Sequence, residues 1–450
     1  CLRTTILRRP LFKAYWKAPP PPIKTFKDAV VKHEFLFTKY FEDRGFAGGK
    51  FVAERDLYET TDYPLILMAK ELVSRRKCPV FKKKSFTHFD EFCAVSAAGE
   101  TKALYEYVRD HTDYDVDMIW RNVLRVGNLA EIKNAFHLNY TLPKGRAVRG
   151  PARRENVRRK AALFLDFNRL DALEETMEYI SHMPDCAHVY ATTGAEEKKA
   201  ALERELGKSG LRHEARLSGK RGILASLDAF RGLALQYEAA CFAGDAGGGF
   251  PRGGLENVLG SGAFIENALG VFEAEGRLGV LSPPPCRGPL QDYMGNEWAG
   301  AFTLAKRLLE GLGVDAPLDE AKPPVAAFGS CAWFRPTALA RLFEADWSRE
   351  DFFRGARPGA ERLNQAVKLS LGYVAQSAGY YSGWLVSDER APLEMTSPHF
   401  SVSSLQASRF WNMTKPLRWA IVLLKRLRAA YSRWRFRLHG SKPSPHPAQR

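Results

Sequence analysis

The spacing of apolar positions changes along this chain, and each change predicts a different kind of structure. Residues 1–72 mix short apolar runs with a run of four prolines and become strand-like near Phe51 and Val52. From there to residue 143 the apolar residues recur mostly at the three- and four-residue steps of an amphipathic helix. The pattern therefore predicts a helical spacer over 73–143, preceded by mixed structure over 1–72.

Beyond residue 160 the apolar residues come in short buried runs that alternate with helical periods. This pattern predicts that strands and helices alternate. The predicted strands are 161–165, 188–191, 239–242 and 278–281, and the predicted helices are 170–180 and 196–206. Strands that alternate with helices form a mostly parallel sheet with flanking helices on its faces. We therefore expect one α/β domain over 161–395, with its ligand at the carboxyl ends of the strands.

The net charge of +16 is concentrated in two segments. The 450 residues are 45% hydrophobic and 12% aromatic, which excludes a disordered protein. Residues 144–160 carry +7 and residues 415–437 carry +8, so the rest of the chain is close to neutral. A nucleic-acid enzyme usually spreads its basic residues over a folded face. We therefore expect a basic linker at 144–160 and no nucleic acid among the partners.

Cysteine usage indicates a reducing compartment. The seven cysteines are scattered without close pairs, a pattern typical of reduced thiols rather than of a disulfide framework. Near the C-terminus the longest uninterrupted apolar run, 419–424, has six residues, whereas a bilayer span needs about 20. We expect a cytoplasmic protein without a transmembrane segment.

Several short motifs follow one another in a fixed order along the chain. They are Tyr40-Phe41-Glu42-Asp43-Arg44-Gly45-Phe46, Leu281-Ser282-Pro283-Pro284-Pro285, Gly295-Asn296-Glu297-Trp298, Trp333-Phe334-Arg335-Pro336 and Tyr373-Val374-Ala375-Gln376. Together they resemble the rhamnan synthesis F family, up to about residue 390. The resemblance implies a glycosyltransferase A-like fold. It also implies that 1–72 is the C-terminal part of a preceding transferase-like α/β domain, with further sequence before it.

The resemblance implies a role in building a bacterial surface polysaccharide, such as a rhamnan, the O-antigen of lipopolysaccharide or a cell-wall glycan. It implies a rhamnosyltransferase-like hexosyltransferase that moves rhamnose or a similar sugar from dTDP-rhamnose or a similar nucleotide-sugar to a lipid-linked glycan. Such a reaction needs positive charge at the diphosphate leaving group, supplied by a metal or by Arg and Lys. It also needs a carboxylate or histidine that takes the proton of the acceptor hydroxyl.

Two acids are the catalytic candidates that the resemblance implies. Asp245 follows the strand at 239–242 and is the only acid in 241–249, so it is the candidate ligand for the sugar nucleotide or for a divalent metal, Mg²⁺ or Mn²⁺. The alternative is an aspartate that caps a glycine-rich turn. Glu297 stands beside Trp298 and is the candidate general base. The alternative is a glutamate at the start of a helix.

The acceptor site is expected at indole rings, because aromatic faces stack well on sugar rings. Trp298 and Trp333 are the candidates, together with Asn296 of the Gly-Asn-Glu-Trp motif. The alternative is that both tryptophans belong to the hydrophobic core.

The donor site is expected at two strand ends and one basic loop. The candidates are Asp166 and Asn168 after the first strand, Thr192 and Thr193 after the second, and Lys220 and Arg221 in the loop 219–222. Small side chains at strand ends allow a nucleotide to approach the backbone closely, and the basic loop can bind pyrophosphate through its charge and its backbone N–H groups. The alternative is that these residues cap the helices that follow.

The chain departs from the polar motifs of the family. Where the family has His-Asp-Lys-Lys, this chain keeps only Asp245, and the family's His-Ala-Ile-Glu-Arg appears as Gln365-Ala366-Val367-Lys368-Leu369. These losses support a second hypothesis. The chain would then be a catalytically inactive glycosyltransferase-like module that positions an acceptor or a partner enzyme.

Residues 413–438 are predicted to form a basic amphipathic helix at a membrane surface. Leu417, Ile421 and Leu424 recur at helical steps, while 415–437 contains eight basic residues and no acid. A helix packed on its own domain is the alternative. With an anionic membrane surface as partner, the protein would be peripheral, on the inner face of the plasma membrane.

We expect the full chain to bind vesicles of anionic lipid and to be released as salt rises, because each basic residue near such a surface contributes about 1 kcal/mol. Removal of 413–450 should abolish binding in a vesicle-pelleting assay and leave the folded core intact. If the truncated chain still pelleted, or if binding ignored salt and lipid charge, the helix would be packed against its own domain.

Overall fold

The computed structural model of the chain describes most of its first 393 residues. The described ranges are 4–17, 22–49, 52, 56–57, 61, 64–87, 99–148, 161–244, 253–285, 298–347, 359–393, 396 and 423. The chain divides into two compact units, Cys1–Leu138 and Asn139–Arg450.

The first unit is helical wherever it has regular structure in the described residues. Its helices are α1 Thr4–Leu7, α2 Pro10–Lys17, α3 Phe26–Ala29, a π-helical segment Val30–Glu34, α4 Phe35–Glu42, α5 Pro64–Leu67, α6 Ala69–Ser74, α7 Lys84–Thr87, α8 Glu100–His111, α9 Asp117–Val126 and α10 Leu129–Ala135. The described residues of 1–72 contain no strand, contrary to the expected end of an α/β domain. The boundary predicted at residue 72 also falls inside α6.

Apolar residues at helical spacing hold α8, α9 and α10 together. Leu104 of α8, Val123 of α9 and Ile132 of α10 are completely or almost completely buried. The ring of Trp120 lies 4.6 Å from that of Phe136, centroid to centroid. The helical spacing read from the sequence is therefore correct for this part of the chain.

The second unit is built on a single sheet of eight described strands. They are β1 Asn139–Leu142, β2 Ala161–Asp166, β3 His188–Thr193, β4 Arg212–Leu217, β5 Ala239–Gly244, β6 Leu278–Ser282, β7 Ala332–Phe334 and β8 Tyr381–Ser387. Their order is β1-β8-β6-β7-β5-β2-β3-β4. All neighbouring pairs are parallel except the two that β7 makes with β5 and β6. The α/β class with a mostly parallel sheet, as in a glycosyltransferase-like fold, is confirmed.

Helices cover this sheet and alternate with its strands. They are a 3-10 turn Leu170–Ala172, α11 Leu173–Ser181, α12 Glu196–Ser209, α13 Ile223–Ala229, a 3-10 turn Leu233–Gln236, α14 Gly253–Leu259, α15 Gly262–Ala274, α16 Phe302–Gly311, two 3-10 turns Phe328–Ser330 and Pro336–Leu339, α17 Ala340–Glu344 and α18 Ala360–Ser377. The strands and helices predicted between 161 and 281 are all present, with ends that differ by a few residues.

The sheet begins earlier in the chain than predicted. β1 pairs in parallel with β8, from Asn139 opposite Trp384 to Leu142 opposite Ser387. The helical spacer predicted over 73–143 therefore ends before residue 139, and the α/β unit starts there rather than at 161. A four-residue edge strand has too few positions for a pattern of period two to be recognised.

The start of the basic linker is fixed to the α/β unit. The side-chain amide of Asn267 donates to the carbonyls of Pro143 and Arg146, both at 2.9 Å. The ammonium of Lys144 forms ion pairs with Glu256 at 2.5 Å and Glu389 at 3.2 Å. The described part of the linker, up to residue 148, is thus bound to the fold, and its first positive charge is neutralised.

Aromatic side chains from four strands meet beside the middle of the sheet. The ring of Phe242 lies 4.3 Å from that of Phe334. The ring of Phe164 lies 5.3 Å from that of Tyr190 and 5.6 Å from that of Phe343 on α17. All five are buried. This packing fixes β2, β3, β5 and β7 against one another and so sets the level at which these strands end.

Candidate active site

The order of the strands reverses beside β2. From β2 the chain builds outward through β3 and β4, and it then returns to β5 on the other side of β2. Open α/β sheets bind ligands in the crevice at such a switch point, at the carboxyl ends of the strands. Asp166, the last residue of β2, pairs with Gly244 of β5 and with Thr192 of β3. The predicted donor residues Asp166 and Thr192 therefore lie at the switch point.

The carboxylate of Asp166 joins three segments of the chain. Thr192 Oγ1 donates to Asp166 Oδ1 at 3.1 Å, and the backbone N–H of Gly222 donates to Oδ2 at 2.5 Å. Asp166 is only 6% exposed and Thr192 has no exposed surface. Both were predicted to bind the donor. In the structure their polar atoms fix the loop between β4 and α13 to the end of β2, so they position the site.

Gly222 has a backbone conformation that only glycine adopts readily. Its φ is +63° and its ψ is −146°. A Cβ on this residue would lie 2.3 Å from the side-chain amide nitrogen of Asn364 on α18. Asn364 Oδ1 also accepts a hydrogen bond from the backbone N–H of Leu224 at 3.3 Å. Asn364 therefore packs over the loop. The sequence does not indicate this role, because Asn364 is one polar residue within a long helical pattern.

Several groups of the basic loop 219–222 that could bind a diphosphate already have partners within the protein. The ammonium of Lys220 lies 2.7 Å from Asp228 and donates to the carbonyl of Trp347 at 3.2 Å. The backbone N–H of Lys220 donates to Ser218 Oγ at 3.1 Å, and that of Gly222 is bound to Asp166. The predicted use of these groups for pyrophosphate would require breaking contacts that the fold already makes.

Arg221 differs from its neighbours in this loop. It is exposed, and among the residues that the structure describes its guanidinium has no hydrogen bond or ion pair. It stands next to Gly222, which the Asp166 carboxylate holds at the switch point. Arg221 is therefore the donor candidate of the loop whose charge is available.

Asn168 and Thr193 lie at the carboxyl ends of β2 and β3, on the same side of the sheet as the switch point. A Cβ on Gly194 would lie 3.9 Å from Asn168 Oδ1, so the two strand-end loops are neighbours. The backbone carbonyl of Asn168 accepts a hydrogen bond from Lys198 Nζ at 2.5 Å. Thr193 is 1% exposed, and its hydroxyl has no hydrogen-bond partner in the described part of the structure. Both lie where the donor was predicted, although the hydroxyl of Thr193 is covered.

Lys368, in the segment that departs from the family's His-Ala-Ile-Glu-Arg motif, lies near the end of β5. Lys368 follows Asn364 by one turn of α18 and lies close enough to the Cys331 thiol for each group to influence the pKa of the other. Cys331 directly precedes β7 and lies beside the last residues of β5, since Ala332 is opposite Phe242. Burial raises the pKa of its thiol to about 11. Burial also lowers the pKa of Lys368.

The described residues do not form a metal site at the switch point. Within them, no group of three or more His, Cys, Asp or Glu side chains could hold a metal ion. Both oxygens of Asp166 accept hydrogen bonds from the protein. Asp245, Asn296 and Glu297 lie outside the described residues, so their predicted roles stay predictions.

The two tryptophans predicted to bind the acceptor belong to the core. Trp333 has no exposed surface, and its indole N–H donates to the carbonyl of Val258 at 2.8 Å. Trp298 is 3% exposed, its N–H donates to the carbonyl of Lys322 at 3.0 Å, and its ring stacks on Tyr373. Neither indole presents a free face, so the prediction of a sugar platform is wrong for both. An indole in a sequence does not reveal whether its faces are covered.

The family model of rhamnan synthesis protein F matches residues 1–380 of the chain. The chain belongs to the rhamnan synthesis protein F family. No curated protein matches it. Membership implies a glycosyltransferase-like role in rhamnan synthesis, and hence in polysaccharide biosynthesis. The resemblance inferred from the motifs is confirmed.

In this member of the rhamnan synthesis protein F family, we expect Gly222→Ala to destabilise the α/β unit by about 1–3 kcal/mol, since the substitution forces an alanine into a strained backbone conformation. The midpoint of urea unfolding, followed by tryptophan fluorescence, measures the loss. Gly219→Ala is the matched control in the same loop, because a Cβ there meets nothing within 4 Å. Equal midpoints for the two variants would mean that the contact between Gly222 and Asn364 does not hold the loop.

Proposed function

We propose that this chain transfers rhamnose or a similar sugar from dTDP-rhamnose, or a similar nucleotide-sugar, to a lipid-linked glycan. The nucleotide diphosphate would bind at the switch point between β2 and β5. The observation that carries this proposal is the bond from Gly222 to Asp166, which holds a basic loop at the strand ends where α/β sheets bind ligands. Arg221 is then the loop residue whose charge meets the diphosphate.

The remaining chemistry is assigned to residues outside the described part of the chain. Asp245 directly follows Gly244, the β5 residue that pairs with Asp166, which supports its proposed contact with the sugar nucleotide or with Mg²⁺ or Mn²⁺. Glu297 is the proposed general base for the acceptor hydroxyl. Asn296, from the same motif, is the proposed acceptor contact.

A location at the inner face of the plasma membrane fits an enzyme that acts on a lipid-linked glycan. Among the residues that the structure describes, no helix has the length and hydropathy of a membrane span. The proposed contact with anionic lipid rests on the charge and period of 413–438, of which the structure describes Leu423, an exposed residue. The described cysteines Cys78, Cys186, Cys241 and Cys331 are free thiols, which supports the proposed cytoplasmic location.

Calorimetric titration of the full chain with dTDP-rhamnose tests the donor assignment. We expect saturable binding that Arg221→Gln weakens about tenfold, because a hydrogen bond to a charged phosphate is lost. Arg212→Gln is the matched control. Arg212 is also exposed, but it is the first residue of β4 and so lies at the amino-terminal end of the strand, away from the proposed donor site. Absence of binding by the wild type, or equal affinity of both variants, would contradict the assignment.

Turnover distinguishes an enzyme from the inactive module. Release of dTDP in the presence of a lipid-linked glycan is the expected result for a transferase. Binding of dTDP-rhamnose without release of dTDP would instead support a module that positions an acceptor or a partner enzyme.

A further inference from the structure

The helix α18 carries a lysine to the carboxyl end of β5. Asn364 and Lys368 are four residues apart and therefore share one face of the helix. Asn364 fixes that face to the first turn of α13, where it accepts a hydrogen bond from the backbone N–H of Leu224. Lys368 lies one turn further along, near enough to the Cys331 thiol for each group to influence the pKa of the other.

The position of Cys331 fixes the level of this lysine on the sheet. β7 runs antiparallel to β5, with Ala332 opposite Phe242, so Cys331 lies beside the last residues of β5. Because Gly244 pairs with Asp166, the ammonium of Lys368 belongs to the same edge as the switch point.

The charge of Lys368 is not neutralised within the described residues. There it has neither a hydrogen bond nor an ion pair, and Glu361, two turns earlier on α18, acts on it only as a distant charge. The side chain is partly buried but keeps some exposure. A half-buried ammonium without a counterion is unfavourable unless an anion joins it. By contrast, Lys220 is paired with Asp228 at 2.7 Å.

We propose that Lys368 is a phosphate-binding residue, whose ammonium contacts the diphosphate of the nucleotide donor at the switch point. This inference deepens the proposed function and rests on it. An ammonium is a compact charge with three N–H donors, which suits a phosphate oxygen without requiring the planar geometry of a guanidinium. Lys368 would approach the diphosphate from the side of α18 and β5, and Arg221 from the loop after β4.

The test measures binding of inorganic pyrophosphate and of dTDP to the full chain by calorimetry, in EDTA so that a divalent cation does not contribute. We expect Lys368→Gln to weaken both ligands about ten- to a hundredfold, the effect of losing a charge-assisted hydrogen bond. Lys368→Arg should retain most of the affinity. Lys208→Gln should not change it, since Lys208 is an exposed lysine paired with Glu205 in the last turn of α12.

A second measurement separates binding from a structural role. Without ligand, Lys368→Met should unfold at the same or a higher temperature than the wild type, because it removes a half-buried charge that has no counterion. A lysine needed for the fold would give a lower unfolding temperature, and this result would overturn the inference.

The outcomes also separate this inference from the proposed function. If Lys368→Gln bound pyrophosphate and dTDP as tightly as the wild type, the inference would be overturned while the donor site could still stand. If the wild type bound neither ligand in EDTA, the inference would be overturned as well. If pyrophosphate binding depended on Lys368 but dTDP-rhamnose did not bind, the anion site would be supported and the proposed transfer contradicted.

Discussion

The buried carboxylate of Asp166 is the interaction on which the geometry of the switch point depends. It joins β2 to the hydroxyl of Thr192 on β3 and to the backbone of Gly222 after β4. A side chain at position 222 would collide with Asn364 of α18. A buried polar group that loses its partners is costly, so each member of this network holds the others in place. The loop after β4 thereby has one position relative to the strand ends.

The polar groups around this network divide into two sets. Asp166, Thr192 and Lys220 have partners within the protein, and these contacts determine where the loop lies. Arg221 and Lys368 have no ion pair among the described residues, and both belong to the carboxyl edge of the sheet. A protein gains little from surface ion pairs, whereas positive groups left unpaired beside a crevice attract an anionic ligand. The switch point therefore combines fixed geometry with available positive charge.

Physical differences between the strands explain which parts of the fold were predictable. β2, β3, β5 and β6 are short apolar runs buried on both faces, which the sequence shows directly. β4 escaped prediction because it is an edge strand with the polar sequence Arg-His-Glu-Ala-Arg-Leu, and β7 because it has three residues. In the site, residues at strand ends could be placed because each follows its strand directly. The contact of Asn364 with Leu224 could not be predicted, because the two residues are 140 positions apart in the sequence.

Hydrogen–deuterium exchange of the full chain, with and without dTDP-rhamnose, tests most directly whether the donor binds at the switch point. The expected result is slower exchange in peptides that cover 166–168, 192–194 and 218–224, and in the part of α18 around 364–368. Peptides at the amino ends of the strands, such as 209–213, should be unchanged. Protection confined to the unit Cys1–Leu138, or no protection at saturating ligand, would contradict the account.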